Sequence, residues 1–302
     1  MESRMDTEPA GEVIPPPLAD YTTSMVSRAA ARVRRVMHEV MPASAKALPR
    51  DYAILSALTE GDAFSQQDLA TRLQINRTVM VKLIDRLESV GYVIRVRNTA
   101  DRRSYALSLT EQGRAAQKIM GPAIARGEAE LNAPLSTEQR RRLNDLVRRL
   151  LPDLDGSLPH PPLQRTGYLL IQADLRLRQR TDHALASLGL QVRHFAVLSV
   201  LADIEPCPQQ QLARVLGMAE TSIVPIIDDL HTAGLVARTR DPRDRRRYAL
   251  TLQPQGHHRL EAAVAAAQSV RAEIIQTLGA PAEQELRELL RTLVSGPAAT
   301  HP

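Results

Sequence analysis

Two arginine clusters recur with the same neighbours, Asp101-Arg102-Arg103 and, 143 positions later, Asp244-Arg245-Arg246. A guanidinium is charged at any physiological pH and presents a planar fork of donors that matches phosphate oxygens. The acids Asp101 and Asp244 repel phosphate themselves, so they are expected to pair with an arginine and hold the turn in shape. A second group, Asn76, Arg77, Thr78, Met80, Val81 and Lys82, stands where a helix would begin. There Arg77 and Lys82 suit phosphate or guanine, and Thr78 suits phosphate or a thymine methyl. This is the chemistry of reversible recognition. No HExxH, paired-cysteine or phosphate-loop motif occurs, so no catalytic residue, metal site or cofactor is assigned. His257 and His258 are adjacent and diverge on a helix, and Asp228 and Asp229 read as solvated helix positions.

The 143-residue interval extends beyond the arginines. Residues 52–113 align with 195–256 without a gap, with 27 of 62 positions identical, which marks a duplicated unit. Two copies at so long a period are a pair of domains, not a solenoid. The chain therefore divides into residues 19–152 and 163–295. Residues 153–162, DLDGSLPHPP, have the composition of a linker, and ten extended residues reach at most about 33–36 Å. Residues 1–18 are read as a disordered N-terminal segment and 296–302 as a flexible tail.

Within copy one, Tyr52, Leu55 and Leu58 predict a helix over 49–59. Ser65 with Asp68 caps a second short helix, and Asn76 caps a third whose apolar stripe is read as Val79, Leu83, Ile84 and Leu87, closed by Gly91. Two short helices joined by a tight turn form a helix-turn-helix. YVIRVR and SYALSL then alternate around NTADRR as a hairpin, the wing. Thr110 and Glu111 open a long helix, and Ser136 with Gln139 caps a last one ending near Leu151; residues 19–46 and 163–188 read as further long helices. The expected fold class is mainly α with small β-hairpin wings: two winged helix-turn-helix domains arranged as an intramolecular pseudo-dimer.

These residues resemble the MarR family of bacterial regulators. The likeness rests on GYLLIQADLRLRQRTDHALASLGLQVRHFAVLSVLAD, QQLARVLG and GLVARTRDPRDRRRYALTL in copy two, and on the Asp-Arg-Arg wing in both copies. The resemblance implies a repressor that binds double-stranded DNA at a pseudo-palindromic operator. It places Arg103 and Arg246 at phosphates or in a narrow minor groove. Arg102, Arg245, Arg97, Arg240 and Arg243 join them as DNA-binding candidates. Arg95, Arg238 and Arg247 either widen the basic surface or are merely solvated. Such proteins are commonly homodimers, so the fused chain is expected as a monomeric pseudo-dimer or a dimer of tandem chains. The family also implies release by a small phenolic or anionic effector, with a lining that would include His38, Met41 and Tyr52 in copy one and His183, His194 and Phe195 in copy two.

Copy two departs from copy one at its recognition stretch, where Glu220 replaces Arg77 and Pro225 replaces Lys82. An interior proline removes a backbone bond and tends to kink a helix, at a cost of about 3 kcal/mol. Unequal halves are expected, the second leaning on its wing and on Thr221 and Ser222. The net charge of +5 suits a polyanionic partner. The single cysteine, Cys207, excludes an internal disulfide and is read as unreactive, for no basic neighbour activates it. No apolar run of about 18 residues occurs, so no membrane span is expected, and a cytoplasmic location follows. The competing reading is a small-molecule-sequestering or protein-interaction module that has lost specific DNA binding; Glu220 and Pro225 favour it.

Overall fold

The computed structural model describes residues 15–42, 48–59, 64–73, 75–97, 105–152, 154, 165–240 and 248–296. Copy one runs α1 (Pro16–Ala19), α2 (Thr22–Glu39), α3 (Asp51–Thr59), α4 (Gln66–Arg72), α5 (Arg77–Ser89), β1 (Val93–Arg97), β2 (Tyr105–Leu109), α6 (Glu111–Asn132) and α7 (Thr137–Arg149). Copy two repeats the order with α8 (Thr166–Leu185), α9 (Val192–Ile204), α10 (Gln209–Leu216), α11 (Glu220–Thr232), β3 (Val236–Arg240), β4 (Tyr248–Leu252), α12 (Pro254–Leu278) and α13 (Ala280–Ser295). Each copy holds a winged helix-turn-helix, and the fold is mainly α with two small hairpins.

Capping side chains set several of these boundaries. Ser65 and Asp68 bond reciprocally at the start of α4, and Ser136 and Gln139 do the same for α7. The wings are antiparallel pairs, in register from Val93 opposite Leu109 to Arg97 opposite Tyr105, and from Val236 opposite Leu252 to Arg240 opposite Tyr248. Gly113 and Gly256 let the next helix start against the wing base: a Cβ there would fall 2.1 Å from the Tyr92 carbonyl oxygen and 2.2 Å from that of Leu235. No single helix among the described residues is long and apolar enough to cross a membrane.

The compact units cut across the sequence halves. One contains Asp174–Ser295 together with the described residues up to Arg28; the other contains Ala29–Ala173 with Gly296. In the first, Leu18 joins the core formed by Leu198, Leu201, Ile223 and Ile227, and Tyr21 meets Phe195 edge-on at 5.5 Å. The Thr22 hydroxyl donates to the buried Glu283, which Arg271 also holds at 3.3 Å. In the second, Tyr168 packs on the core of Leu55, Leu69, Ile84 and Leu87, and the Gln172 amide donates to the Leu73 carbonyl at 3.3 Å. Glu128 accepts from the Gly167 N–H at 3.0 Å. Burial raises its pKa against the opposing pull of that bond and of Arg165.

Periodicity within one element says nothing about which core that element completes. The expected halves, 19–152 and 163–295, therefore differ from the observed units by exchanged segments. The disordered segment set at 1–18 also ends too late, since Pro16–Ala19 is helical and Leu18 is buried. At the other end, Gly296 is buried and its carbonyl accepts from Arg32 at 2.8 Å, so the tail set at 296–302 does not include it. The helix expected over 19–46 closes at Glu39. Of the linker 153–162, only Leu154 lies within the described residues.

Candidate nucleic-acid interface

Helix α5 begins with Asn76 as N-cap, its side-chain oxygen accepting from the Thr78 N–H at 2.9 Å. The face that this start turns to solvent carries Asn76, Arg77, Thr78, Val79, Val81 and Lys82. Among the described residues, neither Arg77 nor Lys82 has a side-chain partner. Met80 is the exception to the expected set: it is fully buried with Leu83, Ile84 and Leu87, while Val79 is 48% exposed. At 100° per residue, positions 80, 83, 84 and 87 share one arc and position 79 falls beyond its edge. Met80 is thus a core residue, and Val79 stands on the exposed surface.

Copy two presents Glu220, Thr221, Ser222, Val224, Pro225, Asp228 and Asp229 at the corresponding positions. Its N-cap, Ala219, supplies no side-chain bond, and α11 runs unbroken through Pro225. Glu220 accepts from the Gln210 amide at 3.2 Å. Thr221 and Ser222 are exposed in its first turn.

Each wing is latched to its recognition helix by an arginine at the middle of its first strand. Arg95 reaches Asp85 at 2.6 Å and also bonds Glu88 and Gln66; Arg238, its counterpart, reaches Asp228 at 2.5 Å. Sequence reasoning left these two as surface cations. The structure uses them as intramolecular ties, and the signal available for this was the shared Asp85/Asp228 at one repeat interval. Arg97 is exposed at the last described position of β1. Arg240 lies 5.4 Å from the centre of the Tyr248 ring across the hairpin. Asp101, Arg102, Arg103, Arg243, Asp244, Arg245, Arg246 and Arg247 lie outside the described residues.

The model of the MarR family matches residues 48–104 and 188–247, one stretch in each copy. The chain belongs to the MarR family. A protein named as the transcriptional regulator for the hcr operon of Thauera aromatica is 31% identical over 102 residues, which is 34% of this chain and 61% of that relative's length. The transcriptional repressor Rv2887 of Mycobacterium tuberculosis is 29% identical over 129 residues, 43% of this chain and 93% of the repressor. Among solved structures, a probable transcriptional regulator from Pseudomonas aeruginosa shares 34% identity with a TM-score of 0.39, covering 41% of this chain and 93% of that one. Rv2887 in complex with DNA shares 28% identity with a TM-score of 0.36, covering 41% and 94%.

The side chains that MarR resemblance offered for an effector fall into different surroundings. Tyr52 is half-buried with the Arg165 guanidinium 4.9 Å above its ring, and Met41 packs at the edge of the same core. His38 and His183 are exposed, which removes them from an enclosed lining. His194 is buried and occupied: its Nδ1 accepts from the Gln191 N–H at 3.2 Å, and its Nε2 lies 3.5 Å from Asp229. Phe195 is committed to the core against Tyr21. Cys207 is buried, and burial with the nearby Glu205 pushes its thiol up to about 11, away from thiolate chemistry. The His257 imidazole sits 3.4 Å from Glu205; among the described residues no three His, Cys, Asp or Glu side chains group as a metal site.

Proposed function

We propose that this MarR-family chain is a sequence-specific double-stranded DNA-binding repressor, cytoplasmic and without catalytic activity, relieved by a small phenolic or anionic effector. The observation that carries the reading is the start of α5, where Arg77 and Lys82 stand exposed beside a capped helix N-terminus. Such an end can enter the major groove and meet base edges or phosphates. The two compact units, each holding one helix-turn-helix and its wing, act as the halves of a pseudo-dimer on one operator with dissimilar halves. Similarity to Rv2887, named a repressor and solved with salicylic acid, supports the choice of ligand class.

The test is fluorescence anisotropy with duplexes from the gene's own upstream region, at two salt concentrations, with and without salicylate as probe. Selective binding that weakens steeply with salt is expected, and an effective probe lowers affinity because it favours the unbound conformation. The second reading, a sequestering or protein-interaction module, draws on the acidic exposed face of α11. Tight probe binding with only feeble, unselective DNA binding would favour it.

A further inference from the structure

The two recognition helices present opposite chemistry on corresponding faces. On α5 the exposed cations Arg77 and Lys82 are available, while the acids Asp85 and Glu88 are turned onto Arg95. Helix α11 has three acids, Glu220, Asp228 and Asp229, and no lysine or arginine. Arg238 and Arg193 neutralise the last two, at 2.5 and 3.3 Å. Glu220 has a neutral amide from Gln210, so its charge stays at the helix tip. Pro225 is exposed on the same helix and has no N–H, so the Thr221 carbonyl loses its partner four residues on. The tip thus carries a carboxylate, which repels phosphate, and a proline where copy one has the cation Lys82.

We infer that copy two reads no bases, and that Glu220 and Pro225 are the residues that bar it. The operator then holds sequence information in the half that copy one meets, and copy two grips the neighbouring duplex by its backbone. This rests on the reading of the chain as a DNA-binding regulator and specifies how that site discriminates.

The experiment is selection by the full-length protein from duplexes with a randomised core, followed by sequencing. One block of specified positions is expected. Two blocks centred about 10 base pairs apart, including a cytosine-rich second block read by Glu220, would overturn the inference. No enrichment at all would instead overturn the regulator reading beneath it. A Glu220→Arg/Pro225→Lys variant gives the second arm, and it restores a helical N–H. Its affinity for an inverted repeat of the selected block should rise about tenfold or more, and the logarithmic salt dependence should steepen by about 2. Unchanged affinity for the repeat would show that these two residues are not the barrier.

Discussion

Asp51, fully buried at the start of α3, is ion-paired with Arg86 near the end of α5. One repeat interval later the same two positions carry His194 and Asp229, 3.5 Å apart, so the acid and the nitrogen base exchange places. Both N-terminal members also cap their helix: the Leu48 N–H donates to Asp51 Oδ2 at 2.5 Å, as the Gln191 N–H donates to His194. In each copy this pair fixes the recognition helix to the helix that precedes the helix-turn-helix.

The two members of the copy-one pair should not be equivalent on mutation. Arg86→Ala strands a carboxylate with no exposure and is expected to cost about 3–5 kcal/mol. Asp51→Ala leaves a guanidinium that is 29% exposed and can turn to water, so about 1–2 kcal/mol is expected. Urea denaturation at neutral pH measures both, and the opposite order would refute the assignment of Asp51 as the costlier group to strand.

In copy two the pair makes stability depend on pH. Burial, with Arg193 adjacent, lowers the pKa of His194 below its ordinary 6.5, against the pull of Asp229 and Asp182. The unfolded chain therefore binds the proton more readily than the folded one. The contribution of neutral His194 is complete above about 6.5 and is lost as pH falls from there toward the lowered folded value. Thermal melts from neutral to mildly acidic pH should show this loss, and His194→Gln should flatten the slope; an identical slope in the variant excludes His194 as its source.

The phase of α5 is open to direct measurement. Met80→Ala is expected to destabilise by about 2–5 kcal/mol, whereas Val79→Ala should stay within about 0.5 kcal/mol. Equal losses would place both side chains in the core.

Charge at the helix tip should appear in the salt dependence of DNA binding. Lys82→Ala is expected to weaken binding and make the slope of log affinity against log salt shallower by about 0.9. Anisotropy titrations between low and near-physiological salt give that slope. An unaltered slope would show that Lys82 meets no phosphate.

Much of the fold was legible because local rules determine it. Ser65 with Asp68, Asn76, and Ser136 with Gln139 announced helix starts, and the alternation of Val93–Arg97 and Tyr105–Leu109 announced a hairpin. What escaped was long-range. Leu18 and Tyr21 look like any apolar residues near a chain end, and nothing in their spacing says that they complete a core built around Phe195. Met80 and Val79 differ by one step on a helix, and only the packed core decides which of them faces inward. Arg95 and Arg238 have the composition of a binding surface, yet the acids of the adjoining helix claim them.

The exchanged segments bear on how this molecule can be dissected. Shaving the polypeptide from its first residue past Tyr21 would injure the second copy by stripping Leu18 and Tyr21 from around Phe195, while leaving the first helix-turn-helix intact. A fragment halted before Thr166 would likewise uncover Leu73, whose carbonyl would lose the Gln172 amide. Cutting at the seam of the ancestral duplication therefore yields two incomplete pieces, and phenotypes of such deletions should be credited to the copy opposite the one removed.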